Sequence, residues 1–333
     1  MKNPKVTVLM SVYNGEQYLC EAIDSILNQT FKDFEFIIIN DSSTDKTGEI
    51  LENYNDPRIK IINNDKNIGL TKSLNKGIVI AKGEYIARQD ADDISMPERL
   101  QKEVEFLAKN KNVGLVGTDS SIINEKGKVV HAVKCITDYI ELKIKLLEGN
   151  QLTHSSVMFR KECIYSVGNY REEFKFAQDY DFYLRIAELC DIANISESLV
   201  KWRISTKSIS VTKKALQDKY ALLAIELAKE RKQLGKDKLQ SLKQEEIDKF
   251  VEESISSGES QNNEEGNNGY FYYGIILLNG RDYKGALKLL LIAFIIQPLC
   301  INNWFLLLKT ILILLLPRQI VNCLRIVKNY KFK

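Results

Sequence analysis

Between Val6 and Leu107 the chain alternates short apolar runs with stretches of helical periodicity, and this alternation restricts the fold more than any other feature. The run Phe34-Glu-Phe-Ile-Ile-Ile39 is apolar almost throughout, as a strand covered on both faces requires. Val6-Thr-Val-Leu-Met-Ser-Val12 is a second such run, closed by the turn pair Asn14-Gly15. Between them, Leu19, Ala22, Ile23, Ile26 and Leu27 share one face of a helix predicted over 18–28. A polar loop at 41–45 then leads into a helix around 46–53 and a strand over 59–62. A helix follows over 70–81, stopped by Gly83, and Tyr85 starts a fourth strand. Pro97 opens a helix through Leu107. Strands joined by helices require crossover connections, so a largely parallel sheet is predicted for this part. Ligands in such sheets bind beyond the carboxyl ends of the strands, where Asp41 and the cluster Asp90–Asp93 fall.

From Val113 to Ser205 the pattern becomes α+β, with strands predicted at 113–117, 129–133 and 155–159. A helix is expected over 179–190 and a helical region over 213–234. The Ser-, Glu-, Asn- and Gly-rich stretch 254–269 reads as a linker. Beyond it, Gly274, Tyr283, Ala286, Ala293 and Pro298 have the spacing of one tetratricopeptide-type hairpin. The run Phe305–Leu316 holds 12 residues, includes Lys309 and is too short for a membrane span. Arg318, Arg325, Lys328, Lys331 and Lys333 follow it. An apolar helix beside a basic tail suits an anionic membrane surface; the alternative is a core helix with a solvated tail.

The length of 333 residues allows about two domains. A net charge of +3 is too small to indicate nucleic-acid binding by bulk charge. Six cysteines without a Cys-x-x-Cys pair, and only two histidines, argue against a zinc cluster or a disulfide framework. Scattered cysteines and an N-terminal apolar run that reads as a strand point to the cytoplasm.

The sharpest chemical feature is Asp90-Ala-Asp-Asp93 at a strand end. Crowded carboxylates repel one another and are costly without a cation. Oxygen-rich sites favour Mg²⁺ or Mn²⁺ shared with phosphate groups, so the cluster predicts a divalent metal bound to a nucleotide diphosphate. The structural alternative is an acidic loop capping the next helix.

Taken in order, the blocks Val6–Gly15, Ile37–Asp45, Asn67–Asn75, Gly83–Ala87 and Asp90–Asp93 resemble glycosyltransferase family 2, and the resemblance covers residues 4–210. The family consists of inverting enzymes of the GT-A fold, Rossmann-like with a mostly parallel central α/β sheet flanked by helices. The resemblance therefore implies a GT-A nucleotide-sugar transferase domain over 1–210. A helical connector and polar linker would occupy 211–260, and a C-terminal helical extension 261–333. By the same resemblance Asp41 hydrogen-bonds the donor base, and Ser11 and Tyr13 line base and ribose. Asp90 faces the ribose, Asp92 ligates the metal and Asp93 supports that site. Phe176-Ala-Gln-Asp-Tyr-Asp-Phe resembles the segment that carries the family's general base, which maps to Asp179. Gln178 replaces the family's common glutamate, and His154 lies in the acceptor-side segment. Trp202-Arg-Ile-Ser205 resembles a segment ending in a histidine that completes the metal site; here that position is serine. Arg203 is a candidate diphosphate contact.

The implied reaction is metal-assisted single displacement from a nucleotide-sugar, with a UDP-sugar as the expected donor. The acceptor is a hydroxyl of a saccharide or lipid-linked saccharide. Surface polysaccharide synthesis, at the inner face of a bacterial membrane, is the expected setting. Two other classes fit parts of the pattern. A sugar-nucleotide nucleotidyltransferase also joins an α/β sheet to metal-binding carboxylates, but the Gly-rich triphosphate loop is missing. A non-catalytic assembly protein would explain Ser205 and Gln178 but not the intact Asp41, Asp90, Asp92 and Asp179.

Overall fold

A computed structural model describes residues 3–239, 242, 245–247, 249, 269–298 and 300–315. They fall into two compact units. The first lies within Met1–Ile122, Ala132–Arg203 and Leu216–Ser257. The second lies within Ile123–His131, Ile204–Ala215 and Gly258–Lys333, so it gathers pieces distant in sequence.

The predicted alternation is present. Strands β1 (Val6–Val12), β2 (Phe34–Asn40), β3 (Ile59–Asn63) and β4 (Tyr85–Arg88) alternate with helices α1 (Leu19–Leu27), α2 (Thr47–Glu52) and α3 (Leu70–Ile80). They pair in parallel in the order β3-β2-β1-β4. Next come the short β5 (Ile94–Ser95), α4 (Arg99–Lys109), β6 (Val113–Ile123) and β7 (Val129–Val133). Then follow α5 (Tyr139–Lys145), β8 (Met158–Arg160), α6 (Cys163–Val167), α7 (Gln178–Leu189) and β9 (Asp191–Arg203). The sheet continues from β4 through β8, β6, β9 and β5, with antiparallel pairing at β4–β8, β6–β8 and β5–β9. The antiparallel half lies in the region read as α+β, so the sheet as a whole is mixed.

Side-chain alternation divides the core between the two sheet faces. Val6, Val8, Met10 and Val12 of β1 pack with Phe36 and Ile38 of β2 and with Leu19, Ile23 and Ile26 of α1. Leu9, Ile37 and Ile39 point the other way and join Leu74 and Ile78 of α3 and Phe182 and Ile186 of α7. Both faces are covered, which is why these strands read as nearly continuous apolar runs.

Three local expectations differ from the structure. The strand expected at 155–159 is a 3₁₀ turn, His154–Ser156, followed by the short β8. The turn wins because Ser156 Oγ donates to Thr153 O at 2.8 Å and the Ser155 hydroxyl turns to Asp93. The helix expected from Pro97 starts at Arg99, since the Pro97 carbonyl is already taken by Thr30 N–H at 2.8 Å. The strand β9 was not anticipated at all; its middle, Ile195–Ser198, carries polar and exposed positions that break the apolar pattern.

The second unit contains α8 (Ile209–Thr212), while α9 (Lys214–Leu234) belongs from Leu216 onward to the first unit. Three further helices follow: α10 (Gly269–Asn279), α11 (Tyr283–Ile296) and α12 (Ile301–Leu315). Phe271, Leu290, Ala293 and Leu307 form their common core. Gly274 lies against Leu290, where an added Cβ would meet its side chain at 2.9 Å. Of the linker expected at 254–269 only Gly269 is described, as the first residue of α10; Leu316 and the basic residues from Arg318 onward also lie outside the described residues.

Candidate active site

The parallel register puts the carboxyl ends of the strands on one rim. Ser11 and Val12 align with Ile39 and Asn40, and Leu9 aligns with Arg88. Half-buried Ser11 is the penultimate residue of β1, and exposed Tyr13 follows the strand's end. The loops after β1 and β2 are tied together: Asn14 Oδ1 accepts from Thr44 N–H at 2.8 Å and Gly15 N–H donates to Thr47 Oγ1 at 2.9 Å. Asn14 and Ser42 both adopt positive φ, 53° and 60°, and Ala177 does so at 53° just before α7. Such strained backbone concentrates at functional loops.

Asp41 is buried and its carboxylate holds the loop before α3. Oδ1 accepts from Asn64 Nδ2 at 2.8 Å and from Ile68 N–H at 2.9 Å, while Oδ2 accepts from Gly69 N–H at 2.8 Å. Gly69 has φ +86°, a conformation other residues adopt only with strain. The block Asn67-Ile-Gly-Leu-Thr is thus the partner loop of Asp41.

The acidic motif splits into three roles. Asp90 pairs with the Arg88 guanidinium. Burial would raise its pKa, but Arg88 and His154 outweigh this and hold it below the ordinary carboxylate value. Asp92 is pushed up to about 6, first by burial and then by the charge of Asp90. Asp93 is buried, accepts from Ser155 Oγ and from Arg203 N–H, and is raised well above the ordinary value by burial and by its two acidic neighbours. Its carboxylate is therefore occupied by protein donors. Arg203 is occupied as well. Its Nε donates to Asp92 O at 2.9 Å, its Nη2 pairs with Glu21, and its guanidinium lies 4.1 Å from the Tyr18 ring centroid.

Asp179 is the second residue of α7, where a carboxylate is favoured by the helix N-terminus. Asn150 Nδ2 donates to its Oδ2 at 3.2 Å. Gln178 beside it is buried. His154 accepts from Arg88 Nε at 3.0 Å and has the Tyr170 hydroxyl 3.5 Å from the same ring nitrogen. Burial and Arg88 lower its pKa, while Asp179 and Asp90 both act on it in the opposite sense. Arg88 thus links the expected ribose carboxylate, Asp90, to His154. Tyr183, one turn after Asp179 on α7, is fully buried and its hydroxyl has no partner among the described residues. Ser205 pairs with Ser208 at 3.1 Å within the second unit.

Arg88, Tyr170, Tyr183 and Ser155 were not singled out from sequence. A signal existed for Arg88 alone: it is a charge at the end of the otherwise apolar run Tyr85-Ile86-Ala87.

Among the described residues no group of three or more His, Cys, Asp or Glu side chains could hold a metal ion. The donor set suits a different kind of site. Mg²⁺-type cations are commonly held by one or two carboxylates and completed by substrate phosphates. Asp92, whose carboxylate is disfavoured as an anion beside Asp90, fits that arrangement.

The sequence model described as glycosyl transferase family 2 matches residues 7–165. The chain is 38% identical over 213 residues to an uncharacterized glycosyltransferase of Methanocaldococcus jannaschii, covering 62% of this chain and 73% of that protein. It is 38% identical over 190 residues to the putative glycosyltransferase EpsE of Bacillus subtilis, covering 56% and 67%. It is 36% identical over 210 residues to the O-antigen biosynthesis glycosyltransferase WbnJ of Escherichia coli, covering 61% and 81%. In three dimensions it resembles S. aureus TarS bound to UDP-GlcNAc, with TM-score 0.56, 18% identity and coverage of 99% and 94%. The mannosyltransferase PcManGT of Pyrobaculum calidifontis, solved with GDP-Man and Mn²⁺, is similar with TM-score 0.52, 16% identity and coverage of 98% and 85%. The chain belongs to glycosyltransferase family 2 and has the GT-A fold.

Proposed function

We propose that the protein transfers a hexosyl or N-acetylhexosaminyl unit, with inversion, from a UDP-sugar to a hydroxyl of a glycan or lipid-linked saccharide in surface polysaccharide synthesis. The observation that carries this reading is the buried Arg88 guanidinium, which binds both the Asp90 carboxylate and His154 at the carboxyl end of β4. It sets a candidate donor carboxylate and a candidate acceptor-side histidine on one polar centre. The kinship with EpsE and WbnJ, and the nucleotide-sugars bound by the TarS and PcManGT structures, support the substrate class.

In this reading Asp41, Ser11 and Tyr13 form the base and ribose side, and Asp90 orients the ribose. Arg203, expected at the diphosphate, instead braces the acidic loop through the Asp92 carbonyl and the Asp93 carboxylate. Asp179 removes the proton from the acceptor hydroxyl, whose oxygen attacks the anomeric carbon on the face opposite the nucleotide. One displacement inverts that centre. Asp92 would hold a divalent cation, Mn²⁺ or Mg²⁺, which supplies electrostatic stabilisation to the departing diphosphate. Gln178 and His154 border the acceptor side.

The test is thermal stabilisation by a panel of nucleoside diphosphates with and without Mn²⁺, since a ligand of the native state raises the melting temperature. A metal-dependent shift for UDP supports the reading. No shift for any of them, or pyrophosphate release from a nucleoside triphosphate and a sugar phosphate, overturns it.

The reading extends to peripheral contact with an anionic membrane on the cytoplasmic side. Among the described residues no helix is long and apolar enough to cross a membrane. In α12, however, Asn303, Leu307 and Thr310 are buried while Ile301, Trp304, Phe305, Leu308, Leu312 and Leu315 form an exposed stripe. No Asp or Glu follows Asp282, whereas eight Lys or Arg do. An apolar stripe in a purely cationic segment matches the chemistry of an anionic interface.

A further inference from the structure

Arg88 is fully buried at the end of β4 and uses its whole guanidinium. Nη1 donates to the carbonyls of Leu9 at 2.6 Å and Gln89 at 2.8 Å, which fix it to the sheet. Nη2 pairs with Asp90, and Nε donates to His154 Nε2 at 3.0 Å. One planar group therefore grips the donor-side carboxylate and the acceptor-side histidine at once, in a fork geometry that lysine lacks.

The contact with His154 has a chemical consequence. A guanidinium N–H can only donate, so Nε2 of His154 must be the acceptor and carry no proton. In a neutral imidazole the proton then resides on Nδ1. The Tyr170 hydroxyl lies 3.5 Å from the same Nε2.

We infer that Arg88 is a positioning residue that locks His154 as the neutral Nδ1–H tautomer, making it a fixed hydrogen-bond donor to a ligand oxygen and not a base. The functional part of this rests on the transferase reading; the tautomer rests on geometry alone. Burial and the neighbouring Arg88 charge act in the same sense, opposing a second proton on the ring and outweighing Asp179 and Asp90, which favour it. Proton abstraction is left to Asp179. Arg88 also makes the orientation of Asp90 depend on the same group, so donor and acceptor sides share one support.

The chain contains two histidines, and the other, His131, is exposed, so ¹⁵N-histidine labelling of the full-length protein gives a readable spectrum. His154→Gln assigns the signals by removing one ring. The expected result at neutral pH is a His154 ring protonated at Nδ1 and bare at Nε2. A ring protonated at Nε2, or at both nitrogens, overturns the inference. The wild-type spectrum decides this even if no Arg88 variant folds. Where Arg88→Met folds, its His154 should revert to an Nε2–H form, and UDP affinity should fall at least tenfold as Asp90 loses its support. An unchanged tautomer in that variant would mean that Arg88 does not set it. If the wild-type tautomer is as expected but no nucleotide-sugar is turned over, the transferase reading fails and the tautomer assignment stands.

Discussion

The backbone N–H of Arg203 donates to the Asp93 carboxylate at 2.8 Å, fastening the end of β9 to an acidic loop 110 positions earlier. Together with the Ser155 hydroxyl it gives Asp93 a structural task that its neighbour Asp92 does not share. Replacing Asp93 by Ala leaves two buried donors without a partner, at a cost of ~1–3 kcal/mol. Asp93→Asn keeps an acceptor for the Arg203 amide and should cost less. Asp92→Ala should leave stability unchanged or raise it slightly, because it removes a like-charge neighbour of Asp90, yet abolish Mn²⁺-dependent UDP binding. Urea unfolding and UDP titration on the three variants separate these roles; equal loss of stability in all three would remove the distinction.

Asp179→Asn should fold normally and bind UDP as the wild type does. Loss of its proton acceptor should lower transfer by ~10²–10⁴-fold, the usual contribution of a general base. Sugar transfer measured under saturating donor checks this, and a variant with wild-type turnover would place the base elsewhere.

Asp41→Asn puts an NH₂ group where a carboxylate oxygen accepts from Asn64, Ile68 or Gly69. One buried donor then faces another, which costs ~1–3 kcal/mol. Melting temperature and UDP affinity should fall together, because the loop that Asp41 holds borders the site. A normal melting temperature with lost UDP affinity would assign Asp41 to the nucleotide alone.

The buried pair Arg99–Glu103, at 3.0 Å, predicts a pH dependence of stability. Burial outweighs Arg99 and pushes Glu103 up to about 7. The unfolded carboxyl titrates near ~4.3. The native state therefore holds this proton more tightly. Its stabilising effect is complete below the unfolded value and is lost as pH rises through about 7. Glu103→Gln cannot titrate, so its stability relative to wild type should grow across that window, by at most ~1.4 kcal/mol per pH unit, and then level off. Urea unfolding of both proteins between pH 5 and 8 measures the slope, and parallel curves would refute it.

Phe305→Ser combined with Leu308→Ser removes two members of the exposed stripe of α12 without touching its buried face or the Trp304 contacts to Phe294 and Pro298. Binding to phosphatidylglycerol vesicles should drop several-fold, with little change for neutral vesicles. Equal binding of variant and wild type to anionic vesicles would exclude this stripe as the contact.

Some of these roles were readable in the chain alone. The strand–helix alternation of the first half follows from local periodicity, and the order of five short blocks identified the family. The end of β4 was legible because the apolar run Tyr85-Ile86-Ala87 breaks into Arg88 and then the acidic cluster from Asp90. Strand β9 was not, since its middle is polar and exposed and its pairing with β5 and β6 spans distant segments. The 3₁₀ turn at His154 escaped too, because serine side chains capture backbone and carboxylate partners that periodicity does not encode.

The sequence by itself determined the strand–helix alternation of the first half and which carboxylates stand at its strand ends, because those properties depend on neighbours a few positions away. The tertiary structure alone decided how those carboxylates divide their work. Asp93 turns inward to Ser155 and Arg203, Asp92 is left with the charge of Asp90 beside it, and Arg88 joins Asp90 to His154. Those assignments come from hydrogen bonds and burial among residues up to 110 positions apart, and only the packed sheet brings such partners within reach.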